Sequence, residues 1–172
     1  EMKLDDSYFV GELMIPGLTG TSPAAIANLA ELQWFIDRYG SEYLTLLIDG
    51  LATDVIAWYP PESINPDEGK PEIDYIELLC EQIYATPSPV AAYVYFHFWR
   101  NRYTETTSMN EVRMVSENAI IQDGVNKTVH AWNDMVKRSR EVWDYLHANS
   151  DNYPTFDTAR RFPFDKINTF NL

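Results

Sequence analysis

The sequence predicts an all-α protein: a helical bundle of about five to six helices, with an extended mid-chain loop or short hairpin and an irregular C-terminal tail. Three observations predict it. Apolar residues recur at three- and four-residue steps in several separate stretches, two of those stretches open on Ser-Pro, and 45% of the 172 residues are apolar, enough for a sizeable core. A chain of this length suits one domain with an appendage. Residues 1–149 read as the bundle domain, with an arm at about 104–117, and residues 150–172 as an extended tail.

The first stretch, up to Thr21, is punctuated by Gly11, Pro16, Gly17 and Gly20, and reads as extended chain and turns. Ser22 then offers an N-cap and Pro23 suits the first helical position. Ile26, Leu29, Leu32, Ile36 and Tyr39 continue at helical steps, and Gly40 is expected to end that helix. Ser41 is expected to cap a second, with Tyr43, Leu44, Leu47 and Ile48 as its apolar stripe and Gly50 as its stop. "LATDVIAWY" continues helical until Pro60, and "PPESINPDEGKP" is a loop. In "EIDYIELLCEQIYA", Ile73, Ile76, Leu79, Cys80 and Ile83 share one helical face, ended at Pro87.

Ser88-Pro89 repeats the earlier start and introduces "PVAAYVYFHFWRNRY". Tyr, Val, Phe and Trp favour strands, but a strand of this length would be unusual, so the stretch reads as a helix. It is apolar nearly all round, hence central and buried. It is too short to span a membrane, which takes about 20 apolar residues, and Arg100 and Arg102 follow at once. "EVRMV" alternates polar and apolar and suggests a short strand or extended arm. The longest helix follows in "DGVNKTVHAWNDMVKRSREVWDYLHAN", with Val125, Val129, Trp132, Val136, Trp143 and Leu146 in register and Ser139 as the break. At about 40 Å it is expected to outreach the core of one small domain. The tail holds Tyr153, Phe156, Phe162, Phe164, Ile167 and Phe170, costly to leave in water. They pack on the parent domain or dock on another protein, and the sequence supports both.

The net charge of −13 argues against wrapping nucleic acid, whose phosphates call for Lys and Arg. It suits a soluble surface, or a wall past which DNA moves without sticking. Cys80, the one cysteine, forms no internal disulfide and reads as a small buried hydrophobe. His97, His130 and His147 make no His-x-x-x-His pair, and neither a Gly-rich phosphate loop nor Gly-x-Ser-x-Gly is present. No catalytic group, metal site or cofactor is therefore expected. The alternative is a soluble all-α enzyme or small-ligand-binding domain with a pocket at Tyr93, His97 and Arg100, which share a helical face at i, i+4 and i+7. An acidic protein that mimics DNA is a third possibility. Lys127, Lys137, Arg138 and Arg140 gather on the long helix, and read as salt-bridge donors or as contacts to a partner chain.

Several stretches together resemble the head–tail connector (adaptor) proteins of tailed bacteriophages and prophages, in particular those of gut Bacteroidota. They are "GELMIPGL" at 11–18, "LQWFIDRYGSEYLTLLIDGL" at 32–51, "PVAAYVYFHFWRNRYTETTSMNEVRM" at 89–114, "HAWNDMV" at 130–136 and the closing "FDKINTFNL". The chain departs from the family pattern at Gly40, where Glu is expected, at Asn110, where Gly is expected, and at Asp49, in the Leu-Leu-Gly position. The resemblance implies a ring subunit in the virion neck, assembled in the bacterial host. The ring would sit between the portal protein and a downstream neck or tail protein, DNA passing through it without sequence-specific binding. It implies a homo-oligomer on assembly, also compatible with a monomer in solution, no cofactor and no membrane. Candidate interface residues are Met109, Val112, Arg113 and Met114 in the arm, and Arg160, Arg161, Phe162 and Phe164 in the tail.

Overall fold

The computed structural model describes residues 4–58, 74–106, 111–113 and 122–167, and these form a helical bundle around one apolar core. The all-α class is as the periodicity predicts. Ser22 accepts a hydrogen bond from the Ala25 amide at 3.2 Å, and Pro23 opens α1 (Pro23–Phe35). The chain then runs through a π-helical turn (Ile36–Gly40) straight into α2 (Ser41–Ile48). This corrects the expected break at Gly40 and cap at Ser41. Gly40 keeps right-handed helical angles, φ −64° and ψ −45°, and is buried. Glycine inside a helix costs roughly 0.5–1 kcal/mol. Burying each of Phe35, Ile36, Tyr43 and Leu44 returns about 1.5–3 kcal/mol, so one continuous apolar stripe wins over a stop. The wide turn takes up an extra residue and lets the stripe follow the core.

The turn after α2 is likewise made one residue earlier than expected. Asp49, not Gly50, takes the left-handed φ of +40°. Gly50 is needed for another reason: a Cβ there would lie 3.1 Å from the carbonyl oxygen of Thr155 in the tail. α3 (Ala52–Ala57) buries Ala52 and Val55. α4 (Tyr75–Tyr84) is capped by Asp74, whose carboxylate accepts from the Ile76 and Glu77 amides, and it buries Leu79, Cys80, Ile83 and Tyr84. The expected loop at 60–71 and Ile73 lie outside the described residues.

α5 (Pro89–Tyr103) is the central helix. Val90, Ala91, Val94 and Phe98 are fully buried. It packs along α6 (Gln122–Ala148) on one side and against the π-turn and α1 on the other. Its end leads into a two-stranded antiparallel hairpin, β1 (Thr104–Thr106) and β2 (Glu111–Arg113), with Glu105 opposite Val112. The alternation in "EVRMV" thus belongs to a strand over its described part.

α6 is 27 residues long. Val129, Ala131, Met135, Val136, Val142, Trp143 and Leu146 line its buried face from residue 129 to residue 146. Over residues 127–148 the expectation that α6 outreaches its own core is corrected, because the tail covers much of that part; the side chains of residues 122–126 lie outside the described residues. Phe156 and Phe162 meet the Trp143 ring edge-on, at 5.1 and 5.6 Å. The Tyr153 hydroxyl donates to the Tyr75 carbonyl at 2.8 Å, tying tail to α4. Phe164 stacks on Tyr43 at 5.4 Å with rings nearly parallel. Further on, the Trp132 indole donates to the Asp165 carbonyl at 2.9 Å, and Asn133 both donates to the Ile167 carbonyl and accepts from its amide, at 3.0 and 2.9 Å. Asn133 thus pairs with Ile167 as a neighbouring strand would. Tail and bundle share one core through Phe164, so the sequence-based division at residue 149 is not a packing boundary.

Two substitutions test this. Asn133→Ala removes both bonds to Ile167 and should cost about 1–2 kcal/mol. Proteolysis after Arg161 should accelerate while helical circular dichroism stays unchanged. Gly50→Ala pushes a methyl at Thr155 and should lower stability by roughly 1 kcal/mol. Thermal unfolding checks it, and an unchanged midpoint would mean the tail does not press on Gly50.

Candidate functional site

The helical face predicted to carry Tyr93, His97 and Arg100 runs along α5 from a buried tyrosine through a half-buried histidine to an exposed arginine. The His97 ring lies flat on Tyr39 at 4.2 Å and close to Tyr93 at 4.5 Å, with Phe96 and Trp132 against its edges. Helical spacing explains Tyr93, while the π-turn brings Tyr39 from another helix. Phe164 from the tail then meets Tyr93 and Trp132, at 5.8 and 6.3 Å. The face is therefore a packed aromatic layer. The Tyr93 hydroxyl donates to the Glu42 carboxylate at 2.7 Å, and burial together with that carboxylate raises its pKa.

His97 is half-buried, and its Nε2 is screened from solvent with no hydrogen-bond partner among the described residues. Stacking satisfies the ring's faces, but Tyr93 gives its proton to Glu42 rather than to His97. Burial, and less strongly the Arg100 cation, lower the His97 pKa to about 4, against the raising effect of Glu42. The ring is neutral at pH 7. Arg100 is exposed and does not join His97 in a closed site.

One buried polar chain does cross the core. Ser139 donates to the Met135 carbonyl at 2.7 Å, which leaves its oxygen to accept from the Tyr43 hydroxyl, also at 2.7 Å. Ser139, the break in the apolar stripe of α6, is thus the partner that a fully buried Tyr43 requires.

At the far end of α5, Arg102 binds the Glu31 carboxylate, donates to Asn28 at 3.1 Å and lies over the Phe98 ring at 4.5 Å. Asn28 in turn donates to the Gly17 carbonyl at 3.1 Å. The root of the hairpin is so tied to α1 and to the N-terminal segment. Sequence reasoning missed Arg102 as an organising residue; its position one turn after Phe98 was the available signal.

Of the candidate interface residues, Val112 and Arg113 lie in β2, and Met109 and Met114 fall outside the described residues. Arg160 reaches back to the Thr45 carbonyl at 3.5 Å and to Asp49 at 3.8 Å. Phe162 is half-buried beneath the Arg140 guanidinium, and Phe164 is buried. Among the four tail candidates only Arg161 stands in solvent, 89% exposed. As anchors free to dock elsewhere, Phe162 and Phe164 are corrected, because each closes aromatic surface of its own chain.

An open cleft of about 700 Å³ lies on a neighbouring face, between the N-terminal segment, the Thr86–Ser88 turn and α6. Among the described residues no three His, Cys, Asp or Glu side chains gather to hold a metal ion, and no helix is long and apolar enough to cross a membrane. No protein-family model, no curated protein and no solved structure matches the chain.

The buried imidazole has a consequence for pH. Its folded pKa, about 4, lies below the ordinary 6.5, so the stability it confers is complete above pH 6.5 and is lost as pH falls toward 4. Replacing it by phenylalanine removes that dependence. Between pH 6.5 and 4.5, wild type should lose about 1–2 kcal/mol more than His97→Phe, after allowance for solvent screening of a half-buried ring. Urea unfolding at a series of pH values checks it; parallel curves would mean His97 protonates freely in the folded state.

Proposed function

We propose that the protein is a structural subunit of a phage or prophage neck, a head–tail connector that forms a ring on the portal and receives the next neck or tail protein. The observation that carries this reading is the hairpin root. A short β-hairpin leaves the end of the central core helix, and the Arg102–Glu31–Asn28 cluster braces it against two other parts of the chain. Such a braced base under a short hairpin suits an assembly contact better than catalysis. The acidic surface agrees with a channel wall from which DNA is repelled. The motif resemblance along most of the chain points the same way.

A ligand-binding domain around His97 is the second reading. The unpartnered Nε2 speaks for it. The aromatic layer of Tyr39, Tyr93, Trp132 and Phe164 speaks against it, because its rings pack on the imidazole and on one another.

Native mass spectrometry of this chain mixed with the portal protein encoded beside it separates the two. The connector reading expects a portal ring carrying a fixed multiple of this chain. Arg102→Ala should weaken that binding while the bundle stays folded, since a partly exposed ion pair adds only up to about 1 kcal/mol to stability. A folded portal and a folded chain that ignore each other at micromolar concentration would reject the connector role.

A further inference from the structure

The cleft along α6 has a floor and a rim of different chemistry. Leu13, Ala92, Ala131 and Met135 form an apolar floor, each of them buried. Lys127 and Arg138 stand toward the two ends of its α6 wall, eleven residues and hence about 16 Å apart. Asp134 lies between them, with His130 one turn before it, and Glu12 faces them from the N-terminal segment. Neither Lys127 nor Arg138 forms an ion pair among the described residues, although the chain carries 26 acids against 13 bases. Val10, at the lip, is 60% exposed. An open groove with an apolar floor and unpaired cations toward its ends fits a polypeptide ridge with apolar side chains in the middle and carboxylates beside them.

The outward face of α4 has that pattern. Tyr75 and Leu78, one turn apart, are 38% and 37% exposed. Asp74 precedes them, and Glu77 and Glu81 flank them; neither glutamate forms an ion pair among the described residues. The α1 surface also exposes Ile26 and Trp34, but the acids nearest to them are already engaged, Glu31 by Arg102 and Asp37 by Gln33, so it offers the two cations little. Two chains each of charge −13 repel one another, and contact is least opposed where unpaired cations meet unpaired acids.

We propose that the α6 cleft of one copy receives the outward face of α4 from a second copy, with Tyr75 and Leu78 over the apolar floor and the acids near Lys127 and Arg138. Cleft and ridge are different surfaces, so the contact is heterologous. Repeated from copy to copy it generates a closed ring or an open filament. The connector reading supplies the biological setting on which this rests; the geometry of the contact stands apart from it.

Cysteine cross-linking tests the contact without a portal. Cys80 is fully buried and stays silent. Val10→Cys and Leu78→Cys are made in separate chains, mixed at high concentration and treated with a short bismaleimide. The mixture should give cross-linked dimers, and each variant alone should not. Lys127→Glu with Arg138→Glu should lower the yield at least about tenfold, Glu77→Lys with Glu81→Lys likewise, and a chain carrying all four changes should regain it. Circular dichroism confirms that each variant is folded. Absence of mixed dimers, equal cross-linking of either variant alone, or dimers from Val10→Cys with Trp34→Cys instead would each overturn the proposal. Failure here with portal binding intact removes this contact and leaves the connector reading standing. Cross-linking without portal binding does the reverse.

Discussion

The seam between α5 and α6 is the contact on which the rest of the molecule depends. α5 is apolar on almost every side, so it must be surrounded, and α6 supplies the longest wall. Nearly everything else in the chain closes what that pair leaves open. The α1–α2 rod covers one flank through Phe35, Tyr43 and Leu47, α4 covers another through Leu79 and Ile83, and the N-terminal segment adds Leu4, Phe9 and Leu13. Tyr43, Tyr95 and Phe98 are fully buried at or beside the seam, and aromatic rings on this scale demand either exact company or a polar partner for their hydroxyls. The bond from Tyr43 to Ser139 meets that demand where α2 faces α6.

The tail follows from the same constraint. A helix of 27 residues has more apolar face than the α-helices can cover. Residues 153–167 close the remainder in an extended conformation, through aromatic side chains and through backbone bonds to Trp132 and Asn133. An extended peptide can follow such a surface because its amides and carbonyls take side-chain partners in place of helical ones. The same aromatic residues that read as docking anchors are thereby spent within the chain. Among the described residues, surface available to other molecules lies on the outward face of α4 and in the α6 cleft.

His97 illustrates how packing and charge divide one site. Its ring is held by stacking, the hydroxyl of neighbouring Tyr93 is committed to Glu42, and burial keeps it neutral. A neutral imidazole between aromatic rings fills space well and costs one missing hydrogen bond. That arrangement accounts for a strongly lowered pKa in a packed layer.

The helices were legible in the sequence because local chemistry dictates them. Ser22-Pro23 and Ser88-Pro89 mark two starts, and the three- and four-residue recurrences of Leu, Ile and Trp set the buried faces of α4 and α6. The arm's strand was legible from the alternation in "EVRMV". The candidate site was only half legible: helical spacing placed Tyr93 beside His97, but nothing local foretold Tyr39, Glu42 or Phe164. Gly40 and Gly50 show the limit most clearly. Each reads locally as a stop, yet Gly40 continues as helix because the apolar residues on both sides are buried together, and Gly50 is needed for the close approach of Thr155, far along the chain. By itself the sequence determined the helical class, the acidic charge and most of the buried faces, Ile26 of α1 being exposed against its stripe; the helical class and those faces depend on neighbours within a few residues. Only the tertiary structure decided where the tail goes and which helices fuse, because those outcomes depend on competition between distant segments for the same apolar surface.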